Sequence, residues 1–185
     1  MANLILNPSF EVDTDDNGLA DNWAVTKTTS GAPTLSRVAG LFGSWAQRAA
    51  YTSSSDTAKS FSLLSDKSGA GSVAGDAVLT GGVWIRAVYT GVITLQMYIY
   101  CYNAADAALG TSVINFASPP SGVWWRVPAY YSVTPTNTSK VAIAVAAAAI
   151  DTGDSVTLDV DGVYLSADAN FDHYGKYPVI GGVKR

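Results

Sequence analysis

At 185 residues the chain falls within the span of one ordinary domain, and folding at that size removes roughly 70% of the extended-state surface from water, enough for an apolar core to hold it without cross-links. Charged residues make up 14% and hydrophobic residues 48% of the sequence, which excludes the composition of an intrinsically disordered chain. The formal charge of −4 repels phosphate backbones and excludes nucleic acid as an expected partner.

The single cysteine, Cys101, forbids an intrachain disulfide. Met1-Ala2-Asn3-Leu4 has no basic start and no apolar run of signal-peptide length, and no stretch of about 18 residues lacks a polar interruption. The expectation is a protein made in the cytoplasm, with no membrane partner.

In chain order, the first chemistry-bearing segment is Asp13-Thr14-Asp15-Asp16-Asn17-Gly18-Leu19-Ala20-Asp21. Asp13, Asp15, Asn17 and Asp21 offer oxygen ligands at positions one, three, five and nine of a loop, with Gly18 at six for the sharp turn. That is a calcium-binding spacing without the closing bidentate Glu, since position twelve is Ala24. The same cluster also reads as a solvated turn closed by side-chain to backbone bonds.

Beyond it the apolar period is two. Val83, Ile85 and Ala87 alternate with Trp84, Arg86 and Val88, and Ile93, Leu95, Met97, Ile99 and Cys101 alternate with Thr94, Gln96, Tyr98, Tyr100 and Tyr102. Val141, Ile143 and Val145 alternate with Ala142, Ala144 and Ala146, which predicts a strand over residues 142–149 despite the helix propensity of alanine. Val156, Leu158 and Val160 against Thr157 and Asp159 complete the set. Turn signals punctuate these strands at Gly81-Gly82, Pro119-Pro120-Ser121-Gly122 and Thr152-Gly153-Asp154. The expected fold class is all-β, a two-sheet antiparallel β-sandwich or jelly roll over residues 1–166. Residues 167–185, with the only histidine, His173, lack alternation and are expected to form an extended carboxy-terminal arm.

Three segments carry a family likeness. Asn3-Leu4-Ile5-Leu6-Asn7-Pro8-Ser9-Phe10-Glu11 followed by Gly18-Leu19-Ala20-Asp21-Asn22-Trp23 resembles the opening of the jelly-roll carbohydrate-binding modules of families four, nine, sixteen and twenty-two. Gly122-Val123-Trp124-Trp125-Arg126 is similar to their penultimate strand, and residues 155–165, with Asp159-Val160-Asp161-Gly162-Val163-Tyr164-Leu165, to their closing strand. The likeness implies a sandwich clipped by a structural Ca2+, with Glu11 and Asp161 as ligands. Where the usual motif has a second Asp, this sequence has Gly162.

A pyranose ring presents an apolar C–H face and a hydroxyl rim, so a sugar site pairs aromatic platforms with planar polar groups. Tyr98, Tyr100 and Tyr102 share one strand face at intervals of roughly 7 Å, and Gln96 continues it. Trp84 and Arg86 share a face of the preceding strand. Trp124, Arg126 and Tyr130 form a third row, subject to a parity change at Pro128. In the resembling modules the ligand lies across such residues. The same stripe also reads as a second packed face or a subunit contact. Trp23 and Trp45 are expected in the core, with Met97 and Cys101 as filler.

Catalysis is not expected. His173 has no Ser or Cys partner, Asp159 and Asp161 sit two apart on one strand at a spacing suited to a metal, and no phosphate loop is present. The functional expectation is a non-catalytic surface protein of a bacteriophage virion, a head decoration or tail component. It would contact other virion or same-protein subunits as a homo-oligomer, and polysaccharide in addition. The alternative is an extracellular carbohydrate-binding module for a plant or bacterial cell-wall polysaccharide.

Overall fold

A computed structural model describes residues 3–27, 32–54, 59–116, 120–131 and 133–167. Within them the chain is all-β, with ten strands: β1 (Trp23–Lys27), β2 (Thr34–Ala39), β3 (Trp45–Thr52), β4 (Lys59–Ser65), β5 (Leu79–Tyr89), β6 (Thr94–Tyr102), β7 (Ala108–Phe116), β8 (Trp124–Tyr131), β9 (Lys140–Ile150) and β10 (Ser155–Ser166). They form two five-stranded antiparallel sheets. The first sheet runs β1-β4-β9-β6-β7 and the second β2-β3-β10-β5-β8.

The odd-even pattern explains why they stack. Leu95, Met97, Ile99 and Cys101 of β6 and Val141, Ile143 and Val145 of β9 line the inner face of the first sheet; Val83, Ile85, Ala87, Leu158 and Val160 line that of the second. All are buried, and each large one withdrawn from water contributes about 1.5–3 kcal/mol. Residues 142–149 belong to β9, with valine and isoleucine inward as the alternation predicts. β2, β3, β4 and β7 carried no strand expectation. Their small and polar residues, as in Trp45-Ala46-Gln47-Arg48-Ala49-Ala50, blur the period-two signal, and cross-strand pairing decides them. Trp23 lies in the core against Phe10, with ring centroids 4.7 Å apart, and its indole N–H donates to Asn7 O. Trp45 departs from expectation: it is 39% exposed, with the Arg37 guanidinium 4.9 Å above its ring. It stands at the start of β3, beyond the reach of the opposing sheet.

Residues 3–8 form no strand of their own but run beside the end of β10. Leu4 N–H donates to Leu165 O (2.9 Å) and Val163 N–H to Pro8 O (2.9 Å). The Asn3 side chain donates to Val163 O and accepts from Leu165 N–H. The start of the described chain is thereby tied to the closing strand. The proposed arm, His173 included, lies outside the described residues apart from Ala167.

The β5–β10 register shifts between Asp161 and Tyr164, and Gly162 there has φ +55°. A Cβ on Gly162 would approach the Phe42 ring to 2.5 Å. The glycine that replaces the family's second Asp is therefore required by backbone conformation and by the ring packed over it. Gly162→Asp is expected to lower stability by about 2 kcal/mol from backbone strain alone, read as a Tm decrease of roughly 4–8 °C in a thermal melt.

Candidate functional site

The outer face of the first sheet carries the tyrosine stripe. On β9, Ala142, Ala144 and Ala146 pair with Tyr100, Tyr98 and Gln96 of β6, and Ala146 with Ala148 floors a trough beside the larger side chains. On its other flank Ser62 of β4 pairs with Ala146 and with Thr26 of β1, whose hydroxyl it hydrogen-bonds. The result is a groove of about 250 Å³ lined by Thr26, Lys27, Ser62, Gln96, Tyr98 and Tyr100 over alanine, near the low end of ligand-cleft sizes. The alanine floor was missed as a functional feature. Its signal was present, as alanine at alternate positions opposite β-branched residues.

The Tyr98 and Tyr100 rings are nearly parallel, 5.8 Å between centroids and 5° between planes. The Tyr98 hydroxyl donates to Gln96 Oε1 and Gln96 Nε2 donates to Asn115 Oδ1, both at 2.7 Å, which fixes the amide orientation. Burial, seconded by its two tyrosine neighbours, pushes the Tyr100 phenol up, so it stays protonated and able to donate. Tyr102 ends the stripe differently: the Lys67 ammonium sits 4.4 Å from its ring centroid and is paired, like Lys140, with Asp106.

Trp84, Arg86, Trp124, Arg126 and Tyr130 are not part of this face. They lie on β5 and β8, on the outer side of the second sheet, across the core from the tyrosines. Trp124, Arg126, Pro128 and Tyr130 all point outward while Val127 and Ala129 are buried, so Pro128 causes no parity change. The proline sits on an edge strand, where its missing N–H costs no ladder bond. The nine aromatic and polar candidates thus divide into four on one face and five on the opposite one.

Arg86 is already engaged. It and Arg48 clamp the buried Asp159 carboxylate, with Arg48 Nε at 2.7 Å from Oδ1 and Arg86 Nε at 2.8 Å from Oδ2. The Arg86 guanidinium also stacks on Trp124 at 4.9 Å. Asp159 is therefore neutralised by two arginines instead of serving a metal. Trp84 packs edge-on against Phe42.

The six proposed calcium ligands also separate. Asp161 Oδ2 accepts from Leu41 N–H (2.6 Å) and Phe42 N–H (2.8 Å), and its Oδ1 from Gly162 N–H. Glu11 Oε1 accepts from Ser44 N–H and Trp45 N–H. Residues 40–45 thus wrap two carboxylates with backbone donors. A cation cage needs six to eight oxygens with free lone pairs, whereas here the positive ends of amide dipoles already occupy most of them. Glu11 and Asp161 do not fit the calcium that the resemblance implies. Asn17 does not fit either: its oxygen accepts from Leu19 N–H and its amide donates to Asp15. Asp13, Asp15 and Asp21 remain together, with ligand oxygens within 4.8 Å of one another.

Similarity to known proteins was found in solved structures. No protein-family model matches the sequence, and no curated protein matches it. A family 61 carbohydrate-binding module complexed with β-1,4-galactotriose superposes with TM-score 0.51 at 16% identity, covering 89% of this chain and 98% of the module. The chain has the jelly-roll fold of the carbohydrate-binding modules. The CBM22-1 xylan-binding domain from Paenibacillus barcinonensis matches at TM-score 0.52 and 12% identity, over 85% of this chain and 90% of that domain. The enzymatically active domain of tailspike protein 4 from bacteriophage CBA120 matches at TM-score 0.60 and 12% identity; the alignment covers 89% of this chain but spans only 21% of the tailspike domain.

Burial raises Asp161 to about 6, with the Glu11 charge adding to the rise against the three amide donors. An ordinary unfolded Asp titrates near about 3.9, so the folded state holds a proton that the unfolded chain has lost. Stability is therefore greatest below about pH 4 as far as this group is concerned, and falls as pH rises through about 6. Urea unfolding across that window is expected to show the decline, and Asp161→Asn to flatten it.

Proposed function

We propose that this chain is a non-catalytic glycan-binding module whose sugar ligand lies in the groove on the outer face of the first sheet. The observation that carries the reading is the pair of parallel Tyr98 and Tyr100 rings standing beside the alanine floor. Parallel rings present one direction of π-face to C–H groups, while Gln96, Thr26, Ser62 and Lys27 supply hydrogen-bonding partners for hydroxyls. Among the described residues the groove lining includes no carboxylate, which supports binding over hydrolysis. The fold neighbours bound to galactotriose or named as xylan-binding support a neutral polysaccharide as the ligand class.

A second reading places the module on a bacteriophage virion, as a head decoration or tail component, and is favoured by the tailspike neighbour. The exposed Leu109 and Val113 of β7 and Trp125 and Tyr130 of β8, along one edge strand of each sheet, suit contact with virion or same-protein subunits. Cosedimentation with assembled particles tests it, and a protein recovered free of particles would remove it. An extracellular location accompanies the first reading.

For the first reading, binding to a panel of cell-wall polysaccharides is expected to weaken by about tenfold or more in Tyr98→Ala and in Tyr100→Ala, a loss of about 1.4 kcal/mol or greater. Tyr130→Ala, on the opposite outer face and 55% exposed, is expected to bind as the parent does. Folded tyrosine variants with undiminished affinity, or a parent that binds none of the panel, would refute the assignment.

A further inference from the structure

We propose, on the reading of the groove as a glycan site, that Asn115 of the edge strand β7 is a positioning residue: acting through Gln96, it holds the Gln96 amide and the Tyr98 hydroxyl where a sugar meets them. Strand register sets Thr26, Ser62, Ala146, Gln96 and Asn115 side by side in one row across all five strands of the first sheet, at steps of about 4.8 Å. The alanine floor interrupts that row. On one side of it the Thr26 and Ser62 hydroxyls bond each other. On the other, Gln96 Nε2 donates to Asn115 Oδ1 and the Tyr98 hydroxyl donates to Gln96 Oε1, both at 2.7 Å. Gln96 is thus the middle member of a two-bond relay, and Asn115 is its outer anchor.

Among the described residues, no other side-chain hydrogen bond holds the Gln96 amide. Glutamine is one of the side chains with most rotamer freedom to lose, so without its anchor the amide, and the hydroxyl it receives, would sample several orientations of which few suit a ligand. Ordering them before the ligand arrives removes that cost from binding. Tyr98 has no second anchor of this kind. Its cross-strand neighbours are Ala144 on β9 and Val113 on β7, and neither side chain has a polar atom. Stacking on Tyr100 aligns the ring plane but does not hold the hydroxyl. The relay lies on the solvent side, with Asn115 exposed and Gln96 partly buried, so cutting it changes fold stability little while altering how the groove receives a ligand. Asn115 stands 19 positions from Gln96, and no local sequence pattern marks it.

The test uses the full chain with Asn115→Ala, which removes the acceptor, and Asn115→Asp, which keeps one. NMR of the Gln96 side-chain amide protons, assigned by their loss in Gln96→Glu, reads the relay without any ligand. Calorimetric titration with β-1,4-galactotriose, soluble xylan and the rest of the cell-wall panel reads binding. In Asn115→Ala the Gln96 resonances are expected to move toward those of an unbonded glutamine. Affinity for the sugar that the parent binds is expected to fall about three- to tenfold, with Tm within about 2 °C of the parent's. Asn115→Asp is expected to restore both resonances and affinity. Resonances unmoved in Asn115→Ala would overturn the proposal, as would a loss of affinity that Asn115→Asp does not recover, or one matched by a larger fall in Tm. A parent that binds no sugar of the panel defeats the glycan reading and the positioning role with it, whereas a parent that binds and an Asn115→Ala variant that binds equally well defeat the positioning role alone.

Discussion

Two sheets stacked face to face must commit alternate residues of their central strands to a shared core, and everything functional is confined to what remains. The inner stripes of β6, β9, β5 and β10 meet across roughly 10 Å of packed side chains, so whatever alternates with them is driven to one of two outer faces. Those faces look in opposite directions, and no single small ligand touches both. The tyrosines of β6 and the tryptophans of β5 and β8 obey the same period-two rule, yet sheet membership assigns them to different surfaces.

The two surfaces have different chemistry. On the first sheet, Ala146 and Ala148 of β9 lower the floor beside the tyrosines, and the nearby polar groups are mostly uncharged. On the second, Asp159 is sunk between Arg48 and Arg86, and Arg86 is stacked in turn on Trp124. A buried carboxylate shared by two arginines contributes little net stability over an apolar replacement, but losing one partner strands a charge. Its arginines are therefore occupied in holding one another's counter-ion, which leaves them poorly placed to read a ligand.

The acidic residues divide by the same kind of local accounting of donors. At Glu11 and Asp161 the loop of residues 40–45 turns backbone N–H groups onto the carboxylates, so the negative charge is met by amide dipoles. At Asp13, Asp15 and Asp21 the donors are instead the Arg37 guanidinium, the Asn17 amide, Thr14 and Gly18 N–H, and one buried Asp13 oxygen has none. Glu11 and Asp161 are thus held by backbone amides of one loop, whereas the Asp13–Asp21 segment is held by its own side chains and by Arg37.

Alternation in the sequence determined the all-β class and the inward residues of β5, β6, β9 and β10, including Met97 and Cys101. It also determined that Tyr98, Tyr100 and Tyr102 share a face, because strand geometry fixes side-chain direction locally. The three family-like segments carried the jelly-roll identity for the same reason, each being a short local pattern. Only tertiary structure decided which strands pair, and hence that Trp84 and Trp124 stand opposite the tyrosines. It alone exposed Trp45, occupied Arg86 with Asp159, and placed Phe42 where a side chain at Gly162 would go. Several of these outcomes depend on contacts between residues far apart in sequence, such as the 73 positions between Arg86 and Asp159, and a period of two carries no information about which distant strand lies alongside.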